Sequence, residues 1–403
     1  MIRDILHIKI ESPFWEEALQ KAQESPEIPQ WLTKEYITDM EKELALLGDQ
    51  TAVVLQALCQ LTKTPALCLF AKTLYHIIGK KKNFSESFSC FALPKAPDGL
   101  ADTLGYDYVG LFPVLAHVRP FTRELAARGI ESHVIYDTLT FFRENIKESS
   151  ERVGKPCFDE EAFSIYRAFI YTDFLWIGRL RFEIHPDSNR NVKAFADTKG
   201  TVCLLMCDTI LHASGHILGT IGCGDENGAF DADFCETEEY YEGYAVDAKT
   251  GLAENTRTRL SKKDWKLIYQ PGDTVLTVHI PATGKLLKED CDAAYESARR
   301  VFSRCYPEYD FKGFVCNSWL LCPAMATFLD KKANIVLFQE NYHIFPSKNM
   351  AQDVFLWVFN QSVSSAEQVD FARLSEDNTM RRGIKKLLLE GMYIHQFNGF
   401  IPF

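Results

Sequence analysis

The chain has 403 residues, 46% of them apolar and 25% charged, values that fit a folded protein long enough for two cores. Its 44 Lys+Arg against 55 Asp+Glu leave a net charge of -11, which argues against broad binding along a phosphate backbone. No apolar signal core follows Met1-Ile2-Arg3-Asp4, and no apolar run approaches the roughly 20 residues that span a bilayer. The twelve cysteines hold no CxxC pair. These features predict a reduced, cytoplasmic protein that works without nucleic acid and without a membrane.

Residues 14–150 read mainly as helices. One begins at Phe14-Trp15, a second runs from Thr33 to Leu47 and ends at Gly48, and a third covers Thr51 to Leu61. Thr64-Pro65 opens a fourth that closes at Ile78-Gly79, with proline and glycine at the ends where they suit a helix. Gly110–Leu115 leads to further helical runs at Phe121–Arg128 and Ser132–Ile146. Such segments cover their apolar faces only by packing on one another, so a helical domain over 1–150 is expected, with the junction in the polar stretch Lys147 to Pro156.

The pattern changes over 151–403. After an aromatic-rich helix at Asp159–Phe174, the run Gly178–His185 alternates like a strand and stops at Pro186. Further strands are expected at Thr201–Cys207, Tyr240–Val246, Lys266–Tyr269, Thr274–Ile280, Gly313–Cys316 and Ile335–Gln339, with helices at Glu289–Cys305 and Pro323–Asp330. Trp357, Phe355 and Phe359 suggest a late helix packed on the sheet. The fold class read from this order is α+β, a helical N-terminal domain followed by a mixed sheet covered by helices.

The most informative block is Gln270-Pro271-Gly272-Asp273, a strand ending at His279-Ile280-Pro281, and a loop Ala282-Thr283-Gly284-Lys285-Leu286 before a helix. Such a loop can aim backbone donors and a helix N-terminus at an anion, although a segment with one glycine is more often an ordinary strand-to-helix connection. This block, with Gly178–Phe182, Cys316-Asn317-Ser318-Trp319-Leu320-Leu321, Asn334-Ile335 and Phe338-Gln339, resembles a bacterial family of acyltransferases. Its members combine an N-acyltransferase N-terminal domain with a GNAT-like C-terminal domain. The resemblance implies transfer of an acyl group from acyl-CoA, used as a cosubstrate and not held permanently, to a small amine-bearing molecule. It also implies coenzyme A phosphates at Ala282, Thr283, Gly284, Lys285 and Leu286. The usual Arg/Gln-x-x-Gly-x-Gly/Ala signature is absent here, and a noncatalytic acyl-CoA or metabolite-binding protein is the alternative.

Among candidate catalytic residues, His279 at a strand end suits a proton acceptor, or else a hydrogen bond that fixes the loop. Cys316 offers a nucleophile and Ser318 a proton for a leaving thiolate; a buried thiol and a turn-forming hydroxyl are their structural counterparts. Asn317 and His216 are candidate substrate contacts. His212 and His216 lie four apart, but Ser214-Gly215 interrupts any helix between them and no third ligand is near in sequence, so no metal is expected. Glu242 and Asp247 flank a strand as possible bases, and the acidic run Asp231–Glu239 reads as a solvated loop or an attractor for a cationic amine.

Overall fold

The computed structural model describes residues 13–78, 103–159, 162–163, 174–185, 190–282 and 284–403. By its internal contacts the chain divides into two compact units, Met1–Ile177 and Gly178–Phe403.

The first unit is helical: α1 (Pro13–Glu24), α2 (Lys34–Leu44), α3 (Thr51–Lys63), α4 (Pro65–Ile78), α5 (Leu104–Asp107), α6 (Leu111–Ala127) and α7 (Ser132–Val153), then a short strand β1 (Leu175–Ile177). Local chemistry explains the ends. Thr33 Oγ1 accepts the Tyr36 N–H at 3.2 Å and starts α2. Ala45, in the left-handed region at φ 50°, stops α2 three residues before the expected Gly48. The separate runs before and after Pro120 are one helix, α6, because nine of its residues are buried and their packing outweighs the lost backbone donor. The expected junction at 150/151 falls inside α7, which carries Lys147–Val153 as helix, with Lys147 and Glu151 paired at 3.7 Å, and ends at Gly154 (φ 76°). Most of the helix expected at Asp159–Phe174 lies outside the described residues. No single described helix is long and apolar enough to cross a membrane.

The second unit is a mixed-sheet fold. Its elements are β2 (Leu180–His185), β3 (Val192–Asp197), β4 (Val202–Met206), β5 (Ile210–Leu211), β6 (Phe230–Asp231), β7 (Cys235–Glu236), β8 (Tyr240–Val246), β9 (Ala253–Ser261), β10 (Trp265–Tyr269), β11 (Val275–His279), α8 (Lys288–Cys305), β12 (Gly313–Ser318), α9 (Asn334–Gln339), β13 (His343–Pro346), α10 (Asp353–Phe359), α11 (Thr379–Leu389) and β14 (Phe397–Pro402). One sheet runs β2-β11-β12-β14-β13 and a second runs β10-β3-β4-β8-β7, with β9 also paired to β8. In the first sheet β11 and β12 are parallel, while β2/β11, β12/β14 and β13/β14 are antiparallel.

Two expectations fail here. Ile335–Gln339 is not a strand but most of α9, where Phe338 is buried and Gln339 Nε2 donates to Leu320 O at 2.7 Å and Cys322 O at 3.0 Å. A continuous apolar run of this length carries no period, so the tertiary contacts decide it. Trp357 is 59% exposed on α10, whereas Phe355 and Phe359 are buried as expected of a packed helix.

The alternation of β2 and β11 sorts their side chains onto two faces. Leu180, Phe182, Ile184, Leu276 and Val278 are buried, and the Phe182 ring meets Tyr295 and Phe302 of α8 at 6.1 and 6.4 Å between centroids. The register Val275↔His185, Thr277↔Glu183 and His279↔Arg181 puts the polar residues on the opposite face. Part of that face is apolar: Val275, Val315, Phe345 and Phe400 join Val192, Ala194, Leu204, Met206 and Tyr269 of the second sheet in one core. The remainder is where the chemistry collects.

Candidate active site

β11 and β12 pair only at Leu276↔Phe314 and Thr277↔Val315. Beyond these, Val278 and His279 pair with β2 alone, and Cys316, Asn317 and Ser318 with β14 alone. The two parallel strands therefore part toward their C-terminal ends. Along this gap the facing backbone edges have no ladder partner among the described residues, leaving donors and acceptors for an extended ligand.

His279 stands at the end of β11, its side chain 43% exposed, with Nε2 2.7 Å from Glu183 Oε2. A carboxylate only accepts, so Nε2 carries the hydrogen in the neutral ring and Nδ1 keeps a lone pair. Glu183, 16% exposed, is the orienting partner that the sequence did not single out. Beside it, Thr277 Oγ1 is buried with no hydrogen-bond partner among the described residues. Such an orphan costs about 1–3 kcal/mol, which is tolerable where a ligand supplies the bond.

The loop after β11 is held from one side by Arg179. Its Nε donates to Lys285 O at 2.8 Å, and its Nη2 donates to Pro281 O at 3.1 Å and Gly284 O at 3.2 Å. Peptide planarity turns the following N–H groups, those of Ala282, Lys285 and Leu286, away from the guanidinium. They form a set of donors ahead of α8, and Gly284 at φ 81° permits the turn. Glu289 and Asp290 occupy the first turn of α8, and Lys288 is engaged by Asp292 and Asn341. Favourable charge for an anion thus falls to the loop amides and Lys285. Thr283 lies outside the described residues.

Neighbours on β12 separate by pleat. Cys316 is 1% exposed on the α8 side; burial pushes its thiol up to about 12, against a hydrogen bond from Tyr342 that works the other way. Tyr342 is itself bonded to Tyr295 at 2.6 Å between hydroxyl oxygens. A thiol held neutral in this way is a poor nucleophile. Ser318 Oγ accepts the Leu320 N–H at 3.1 Å and so caps the turn Trp319–Leu321. Asn317 faces the other way, into a cavity of about 720 Å³ that His185, Arg190, Ser347, Lys348 and Asn398 also line.

His216 is elsewhere. It lines a second, mainly apolar cavity of about 520 Å³ with His212, Ser214, Cys223 and His395. His212 Nδ1 is 2.7 Å from Ser214 Oγ and its Nε2 3.4 Å from Asp225 Oδ2, while the His216 and His395 rings are 4.6 Å apart. Burial, then the His212 imidazole, lowers His216 to about 4; burial, then the His216 imidazole, lowers His395 to about 3. Among the described residues no group of three His, Cys, Asp or Glu side chains could hold a metal ion. Glu242 is held by Arg257 at 3.1 Å and Arg259 at 2.6 Å, and Asp247 caps its own turn through Thr250 at 2.8 Å, so both carboxylates are committed to structure.

These two imidazoles make acid stability a test of the packing. Their folded values lie below the ordinary 6.5, so their contribution is full above that pH and falls as the unfolded chain alone takes up protons. Denaturant titrations are expected to show a loss on the order of 2–4 kcal/mol between roughly pH 7 and 5, with a shallower slope in His395→Gln. Equal slopes would contradict the burial of the ring.

The profile of the GNAT-like C-terminal domain matches residues 174–401. Among solved structures, an acyltransferase in complex with decanoyl-CoA and teicoplanin is similar at 17% identity and a TM-score of 0.63, over 100% of this chain and 98% of that one. An acyltransferase mutant in complex with octanoyl-CoA is similar at 16% identity and 0.63, with the same coverage. At such identities these likenesses show the fold. No protein of curated function matches. On the profile match across its sheet-bearing half, this chain belongs to the family that carries a GNAT-like C-terminal domain.

Proposed function

We propose that the second unit transfers an acyl group from acyl-CoA to an amine-bearing acceptor. The observation that carries this reading is the parting of β11 and β12 directly before the Arg179-held loop and α8. An extended pantetheine chain, with its own amides, fits the unpaired strand edges, and the phosphates fit the amides of Ala282, Lys285 and Leu286. The thioester carbonyl then lies in the gap. The amine nitrogen attacks that carbonyl, His279 Nδ1 accepts the amine proton, the C–S bond breaks, and the departing thiolate takes that proton from the imidazolium, so that coenzyme A leaves as the thiol. Glu183 fixes the orientation of the ring.

We assign no covalent step to Cys316 and no proton transfer to Ser318, because one is buried and neutral and the other is spent on a cap. His216 belongs to the separate cavity and has no part in this step. The acceptor class is the amine, small or carried on a larger molecule; the similar acyltransferase was solved with teicoplanin. Glu289 and Asp290 disfavour phosphate on the α8 terminus itself, so in this reading the phosphates rest on the loop amides.

Hydrogen exchange with and without saturating acyl-CoA tests the placement. The strongest protection is expected at 282–286 and along 276–279. Protection confined to other segments would remove the loop from the cosubstrate site.

A further inference from the structure

In a chain of net charge -11, the cavity of about 720 Å³ is lined by Arg190 and Lys348 and by no aspartate or glutamate among the described residues. Arg190 is largely buried, beside the Tyr269 hydroxyl, to which it is hydrogen-bonded. Glu183, which is bonded to His279 at 2.7 Å, also acts on it electrostatically. Lys348 is exposed at the rim and makes no ion pair among the described residues. A cation drawn out of water beside an open cavity is stabilised by an anion entering it.

The amides of the wall are pre-set for the same task. Asn317 Nδ2 donates to Asn398 Oδ1 at 2.9 Å and to Ser347 Oγ at 3.2 Å, and Ser347 in turn donates to Gln396 O at 3.0 Å. This chain uses the Asn398 acceptor and leaves its Nδ2 group without a partner among the described residues. The cavity thus presents a buried guanidinium, an ammonium and an amide donor. It also adjoins the reacting gap. Asn317 is two residues beyond the last β11–β12 pair, and His185 is on the same face of β2 as Glu183.

We propose that this cavity binds a carboxylate of the acceptor, with Arg190 and Lys348 as its anchors, so that the acceptor amine is presented to the His279–Glu183 pair. The identity of the ligand as the acceptor rests on the acyl-transfer reading; the preference for an anion does not.

Calorimetric titration of the full chain with phenylalanine, phenylalaninamide and O-phosphoethanolamine separates the cases. Phenylalanine is expected to bind roughly 10-fold or more tightly than its amide. Arg190→Gln removes most of that difference, and Lys348→Gln, at an exposed position that keeps the fold, lowers it about 3-fold. Amide binding is unchanged in both. Equal affinities, no heat from any probe, or a preference that survives both substitutions would overturn the proposal, and a preference for O-phosphoethanolamine would replace carboxylate by phosphate. Anion preference without acyl transfer would leave the site standing and remove its assignment to an acceptor. Acyl transfer without anion preference would do the reverse.

Discussion

Replacing His279 by glutamine is expected to lower kcat by roughly 10²–10⁴-fold, with KM for acyl-CoA changed far less. Glutamine keeps a polar side chain that can still hydrogen-bond Glu183, so the 2.7 Å contact and the end of β11 survive in altered form. What it removes is the lone pair at Nδ1 that the proposed transfer needs to accept the amine proton. Glu183→Gln acts one bond away: it leaves the imidazole present but without a negative partner, and a smaller loss is expected. The order His279→Gln worse than Glu183→Gln distinguishes a base and its orienter from two residues that merely hold a strand end. Structural roles alone would lower the melting temperature in both variants and leave kcat of the folded fraction intact. Steady-state kinetics with thermal melts on the same preparations would decide it.

Gly215→Ala is expected to be the most damaging small substitution in the second unit, by about 3 kcal/mol or more. Gly215 has φ 84°, and a Cβ there would be 2.3 Å from Ala253 O and 2.9 Å from Ala253 N. Both atoms are backbone and cannot swing aside. The same segment is pinned by Gly215 N–H donating to His212 O at 2.8 Å and Ala253 N–H donating to Gly215 O at 3.1 Å. The strain and the clash therefore add, and the loop that carries His212, Ser214 and His216 moves with them. Thermal unfolding should drop by about 10 °C for a unit of this size. A variant that melts with the parent would mean that this loop does not approach β9.

Elements with strong local patterns are legible in the amino-acid sequence. β2 alternates buried and half-buried through Leu180-Arg181-Phe182-Glu183-Ile184-His185, and α8 carries seven buried residues along one face. β9 is not legible in this way. Its Glu254-Asn255-Thr256-Arg257 run is polar and exposed; it joins β8 by an antiparallel ladder, with Arg257 and Arg259 paired to Glu242 of β8 and Arg257 also to Asp233. The acidic run read as a solvated loop is one side of that array, with Glu236 also paired to Lys262 at 2.6 Å. Such partners lie too far apart in sequence for a periodic pattern to reveal them.

The site is legible in part for the same reason. His279 can be singled out from its place after a strand and before a Pro/Gly loop. Glu183 cannot, because its meaning comes from the β2–β11 register that joins residues 96 apart. Cys316 and Asn317 look equivalent as neighbours in one motif, yet the pleat sends one among Tyr342 and Tyr295 and the other toward Arg190. Arg190 and Lys348, 158 positions apart by the difference of their numbers, meet only across the cavity wall.

The central claim is that this chain moves an acyl group from acyl-CoA to an amine. Incubation with an acyl-CoA panel and pooled amines, followed by mass spectrometry of free coenzyme A and of acylated products, tests it most directly. The account predicts that thiol release and acylated amine appear in equal amounts, and that both fall together in His279→Gln. Bound acyl-CoA that remains intact in the presence of every amine, or thiol released with no acylated product, would contradict it.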